Sequence, residues 1–166
     1  MRILGIDPGY AIVGYGVLDY DNNKFKTIEY GAITTPSSMN MFDRLKSIYD
    51  DLCHVIEQTR PQYMAIEELV FNSNQKTAIN VAQARGVILL AAMNYNLNIF
   101  EYTPLQVKQS VVGYGRAEKR QVFAMVTTIL GLSKPPKPDD AAEALAIAVC
   151  HGNSAGSALS GYFNLR

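Results

Sequence analysis

Three β-type segments, residues 2–7, 12–19 and 25–33, are crowded into the opening of the chain and joined by Pro8-Gly9-Tyr10 and Asp21-Asn22-Asn23. Connections that short join antiparallel neighbours, so the chain begins as a three-strand meander. In the first segment, "RILGID", alternation sends Ile3, Gly5 and Asp7 to one face and Leu4 and Ile6 to the other. A carboxylate therefore emerges at the strand's C-terminal end, just before Pro8-Gly9. Turn chemistry alone explains an Asp in that place. A catalytic role requires acidic partners from elsewhere in the chain.

After the meander, helical and extended segments alternate. Met41, Leu45, Ile48, Leu52, Val55 and Ile56 fall on one face of a helix predicted over 40–59, which Pro61 stops. "YMAIEELV" reads as a buried strand, 75–95 as a long helix and 98–102 as a strand. Helices are expected at 104–111, 117–130 and 139–151. This order implies an α/β fold: a mixed five-strand sheet, three strands in an antiparallel meander and two parallel, with helices on both faces. At 166 residues and 48% hydrophobic composition the chain suits one domain, expected over 1–153, with the Gly/Ser-rich 154–166 a flexible tail. There is no long apolar run and no basic leader with a cleavage site, so no membrane association is expected and the expected location is cytoplasmic.

The cysteines and histidines exclude several chemistries. Cys53 and Cys150 lie far apart, without pairing or metal-ligand spacing, and read as buried thiols. His54 and His151 are equally isolated and read as helix-surface or helix-end residues. Hydrolysis by a serine or cysteine triad has little support. Formal net charge is zero, which argues against a strongly basic nucleic-acid protein, but the distribution is uneven. Residues 104–138 hold Lys108, Arg116, Lys119, Arg120, Lys134 and Lys137 against Glu118 alone.

Acidic partners for Asp7 come from two places. In "AIEEL" either Glu67 or Glu68 shares the face of Asp7 at the end of the fourth strand, where sheets of this kind form sites. In "PPKPDDAAEALAIAVC" Asp139 is placed to cap a helix. Asp140 and Glu143 then share one face of its first turn. Taken alone, that pair is ordinary helix-dipole chemistry. Together with a strand-end Asp and Glu it makes four carboxylates, a hard oxygen set suited to Mg²⁺ or Mn²⁺ and poorly suited to zinc.

"GIDPG", "GYGV", "AIEE", "QARGV", "EYTPLQVKQSVVGYGRAEKRQV" and "DDAAEALAIAVCH", in order from residue 2 to about 151, resemble the bacterial RuvC family of Holliday-junction resolvases, which have the ribonuclease H fold. The resemblance implies a metal set of Asp7, Glu67, Asp140 and Glu143, favouring Glu67 over Glu68. It also exposes a departure, because the family usually carries Asp where this chain has Glu143. Four carboxylates can hold two divalent ions about 3.5–4 Å apart, one activating a water and one stabilising the leaving 3′-oxygen.

The resemblance further implies paired symmetric nicks across a four-way DNA junction, leaving 5′-phosphates, and a physical link to a branch-migration motor. Lys108 and Lys119 match basic positions near the scissile phosphates, and Lys119 is placed to steady the attacking water or the developing charge. Arg116 and Arg120 add local charge after the Gly-x-Gly of "VVGYGRAEK". In "LVFNSNQKT" the family's junction wedge falls on Phe71 or Val70, with Phe71 preferred; Asn72, Asn74, Gln75 and Lys76 are expected beside the DNA. Ala78, Ala82 and Gly86 form a small-residue stripe that fits a homodimer, whose two sites would make matched cuts. Two other readings compete: a junction-binding protein that cuts weakly, and an actin-like or kinase-type nucleotide-binding domain, disfavoured because the chain is too short for its second half.

Overall fold

The structure, a computed structural model, describes residues 1–69 and 75–155, with backbone alone for residues 75 and 76. The meander is β1 (Arg2–Asp7), β2 (Ile12–Asp21) and β3 (Lys24–Thr34). Asn22 and Asn23 both have positive φ, 48° and 59°, the conformation a two-residue hairpin turn demands and Asn tolerates. So tight a turn lets β2 and β3 run closer to the tip than the expected 19 and 25. β4 (Tyr63–Glu67) and β5 (Asn98–Tyr102) add parallel strands, giving the order β3-β2-β1-β4-β5. β4 stops three residues before the expected end. Its last pair is Glu67 with Tyr102, after which Thr103 turns away to cap the next helix.

The two faces of the sheet are covered differently. α1 (Met41–Thr59) and α2 (Gln75–Asn94) lie over Leu4, Ile6, Val13, Val17, Met64 and Ile66. α1 starts at Asn40, whose side chain accepts from the Asp43 N–H, and stops at Arg60 in the left-handed region. α3 (Pro104–Val112), α4 (Lys119–Ile129) and α5 (Asp139–Ala155) pack over Ile3, Leu18, Ala65 and Tyr102. α5 is the central element of that face, with every residue from Ala144 to Gly152 buried. It lies close because Gly5 and Gly16, cross-strand partners, present no side chain: a methyl on Gly5 would sit 2.0 Å from the Ala144 carbonyl oxygen.

Three expectations need correction here. His151 is not at a surface or a helix end. α5 continues to Ala155, so His151 is an inner position, 3% exposed, with its ring against Tyr63 and Phe100 and its Nδ1 2.8 Å from the Tyr102 hydroxyl. Burial pushes its pKa down to about 4. Asp139 does not cap α5. It is the first helical residue, behind Lys137-Pro138, and its carboxylate accepts from Lys137 at 2.7 Å. Cys53 is only half-buried, whereas Cys150 is buried, and both are free thiols.

Of the small-residue stripe of α2, Ala78 and Ala82 are half-buried and Gly86 is exposed. The buried face of the helix is Ala84, Ile88, Ala91 and Ala92, while Ile79, Leu90 and Met93 are 60%, 54% and 60% exposed and Gly86 has open space beside it. Among the described residues no helix is long and apolar enough to cross a membrane.

Candidate active site

Asp7 ends β1, and its cross-strand partner on β2 is Gly14. Gly5 pairs in parallel with Ala65, so two residues further along each strand Asp7 and Glu67 leave the sheet on the same face, at the same edge. Glu68 lies past the strand's end and is exposed. The first turn of α5 hangs over that edge and brings Asp140 and Glu143 to Asp7. Chain reversal and helix packing thus gather side chains more than 130 residues apart in sequence.

The carboxyl of Asp7 is pushed up to about 9, first by burial, then by a hydrogen bond with Glu143 and by the charges of Glu143, Glu67 and Asp140. Glu67 is raised too, first by burial and then by Glu143, while Lys108 acts in the opposite direction. Lys119, at the start of α4, reaches Glu143 at 2.8 Å and lies 3.8 Å from Asp139. The hydrogen bond to Glu143 is the main cause of its raised pKa. Each lysine therefore stands beside one member of the acidic set. A cavity of about 270 Å³ opens between them, with Glu67, Lys108, Lys119 and Glu143 at its rim and Val107, Val122 and Phe123 among its apolar lining.

The donor set fits a divalent cation. Asp7 and Glu67, both raised first by burial and then by Glu143, would be relieved by added positive charge, and hard oxygen donors match Mg²⁺ or Mn²⁺. As the side chains stand, no three acidic, His or Cys groups among the described residues enclose a single ion position. Glu143 is instead drawn onto the Lys119 ammonium.

Other expected positions spread outward from this edge. Arg116 is exposed in the loop between α3 and α4, where Gly113 caps α3 with φ 93°. Arg120 is exposed and turned to Glu118 at 2.8 Å. Val70, Phe71, Asn72 and Asn74 lie outside the described residues, as do the side chains of Gln75 and Lys76.

The protein-family model described as crossover junction endodeoxyribonuclease RuvC matches residues 3–151. The chain belongs to the RuvC family. A crossover junction endodeoxyribonuclease RuvC of Alkaliphilus oremlandii is 60% identical over 154 residues, spanning 93% of this chain and 94% of that one. The protein of the same name from Finegoldia magna is 60% identical over 151 residues, 91% of this chain and 92% of its own length. Among solved structures, Thermus thermophilus RuvC in complex with Holliday junction substrate superposes with a TM-score of 0.89. It is 35% identical and covers 93% of this chain and 94% of that one. The fold expected from the sequence, a ribonuclease H-like mixed sheet, is that of these RuvC structures.

Sequence reasoning missed the glycines of β2. Gly14 and Gly16 lie two apart on a strand, both on the face of Asp7, and their spacing was a legible sign that something packs there closely.

Proposed function

We propose that this chain is a structure-specific endonuclease that resolves Holliday junctions in DNA recombination and repair, cutting by metal-dependent phosphodiester hydrolysis. The observation that carries the reading is the convergence of Asp7, Glu67, Asp140 and Glu143 at one sheet edge, flanked by Lys108 and Lys119. Membership of the RuvC family supplies the substrate class. The nuclease unit is residues 1–153, acting in the cytoplasm.

Asp7, Glu67, Asp140 and Glu143 would hold two ions, Mg²⁺ or alternatively Mn²⁺. When bound, these supply the Lewis acidity that activates a water and stabilises the departing 3′-oxygen. The chain's own cations act on the DNA. Lys108 and Lys119 neutralise phosphates flanking the cut, and Lys119, released from Glu143, is placed to stabilise charge that develops on the phosphate. Arg116 and Arg120 extend the basic surface, and Phe71, Asn74 and Lys76 engage the junction beside it.

A second copy of the chain completes the functional unit. The exposed apolar seam of Ile79, Leu90 and Met93, with open Gly86 between them, supports a homodimer along α2. Two sites related by a twofold make symmetric nicks in a substrate of matching symmetry. A complex with a branch-migration motor is the further partner this reading implies.

The test is incubation of a mobile four-way junction with the protein in Mg²⁺ and in EDTA, beside a linear duplex of the same sequence. Paired nicks with 5′-phosphate ends, on the junction alone and only with metal, are expected. Tight junction binding without cutting would instead make the chain a binding protein, and ATP hydrolysis without DNA would support a nucleotide-binding domain.

A further inference from the structure

The carboxylates converge only if the first turn of α5 sits directly on the sheet, and beneath Asp140 itself lies one glycine of β2. Gly14, the cross-strand partner of Asp7, lies under the helix start. A Cβ built on Gly14 would stand 2.1 Å from the Asp140 carbonyl oxygen, 2.4 Å from its carbonyl carbon and 3.0 Å from its Cβ. The obstacle is the backbone of the residue proposed to hold metal, which no side-chain rotation relieves.

We propose that Gly14 is a positioning residue for the metal site: its bare α-carbon lets Asp140 and Glu143 approach Asp7, and any side chain there lifts them away. The inference rests on the nuclease reading for what the site does, and on geometry alone for how Gly14 acts. It is separable from packing in general because glycines stand at the contact of α5 with the sheet along its length, Gly16 on β2 and Gly152 on α5 itself. Gly16 would press mainly on the flexible Leu145 side chain, whose Cγ and Cδ2 are both 2.7 Å from its added Cβ. At the far end a Cβ on Gly152 would meet Phe25 at 2.4 Å and Tyr20 at 3.3 Å, remote from the carboxylates. Placing carboxylates is sensitive work, because displacements near 1 Å cost about 10²-fold in rate.

The experiment compares Gly14→Ala, Gly16→Ala and Gly152→Ala with the wild type. It measures thermal unfolding in EDTA, Mn²⁺ affinity by calorimetry without DNA, junction affinity in Ca²⁺ and single-turnover cutting in Mg²⁺. Gly14→Ala is expected to weaken Mn²⁺ binding at least tenfold and cutting about 10²-fold, with junction affinity within threefold of wild type. Gly152→Ala is expected to lower the unfolding midpoint at least as much and to keep metal affinity and cutting within threefold. Gly16→Ala should fall between them, and it carries the comparison should Gly14→Ala not fold.

Wild-type Mn²⁺ affinity in Gly14→Ala would overturn the proposal. So would equal losses of metal affinity in Gly14→Ala and Gly152→Ala, or a Gly16→Ala no different from Gly152→Ala. A wild type that binds metal but does not cut junctions would sink the nuclease reading, leaving the role of Gly14 in the metal site to stand on the affinities.

Discussion

The start of α5 and its interior obey the same physics and reach opposite results. At its N-terminal end Asp7 is raised to about 9, first by burial and then by the hydrogen bond with Glu143 and the charges of Glu143, Glu67 and Asp140. Further along, inside the helix, burial lowers His151 to about 4, and the ring lies neutral among Tyr63, Phe100 and Tyr102. In both places the low-polarity interior disfavours the charged form. The interior meets the penalty with a group that gives up its charge near neutral pH. The sheet-edge end instead keeps its acids together, with Lys119 paired to Glu143 and Lys108 acting on Glu67.

Removing one of those acids should break the comparison most sharply. Asp7→Asn is expected to retain junction binding and lose at least about 10³-fold in cutting rate, roughly 4 kcal/mol of transition-state stabilisation. Cutting at even a tenth of the wild-type rate would remove the metal role assigned to Asp7. The same variant should be the more stable protein in EDTA, by about 1–3 kcal/mol, since it relieves burial of a repelled carboxyl. Thermal scans at pH 8 check this, and a lower midpoint would mean the acids do not strain the fold.

In the helix interior the effect is one of pH. The folded value of His151 lies below its ordinary 6.5, so as pH falls the unfolded chain takes up the proton first. Its contribution is whole above pH 6.5 and is lost towards pH 4, by up to about 1.4 kcal/mol per pH unit. Asp7, raised when folded, runs the other way, losing stability as pH rises from 3.8 towards 9. Urea unfolding of His151→Leu and wild type between pH 4 and 7 should therefore give curves that diverge as pH rises. Parallel curves would show that His151 is not the titrating group.

Two smaller effects sharpen the sheet-edge end. Lys119→Met frees Glu143 from its ion pair, so metal-free stability should change by less than about 1 kcal/mol, the pair being substantially exposed. Cutting should nonetheless fall about 10–10²-fold, because the ammonium is then missing from the phosphate. Glu143→Asp, which keeps the charge and shortens the side chain by one methylene, should leave single-turnover cutting within about tenfold; a complete loss would mean that the longer side chain is needed here.

Most of the architecture could be read from local pattern. The Asp21-Asn22-Asn23 turn signal, the helical spacing in 41–56 and the stop at Pro61 are short-range effects, and α1 and the meander follow from them closely. The acidic residues were legible as types at strand and helix ends. What local pattern could not decide was direction in space. Glu67 and Glu68 are equivalent until β4 lies parallel to β1 and its register with Gly5 is set. His151 looks like a helix end until α5 is seen to continue beneath an aromatic cluster.

The chain by itself determined which groups exist and in what order: a strand ending in Asp7, glutamates ending another, and an alanine-rich helix that opens on Asp140 and Glu143. Those depend on neighbours within one or two turns. Only the tertiary structure decided that these groups meet, that Gly14 lies beneath Asp140, and that Lys119 reaches Glu143. Such contacts depend on register and on the closest approach of distant backbones, which are set by the packing of the whole chain.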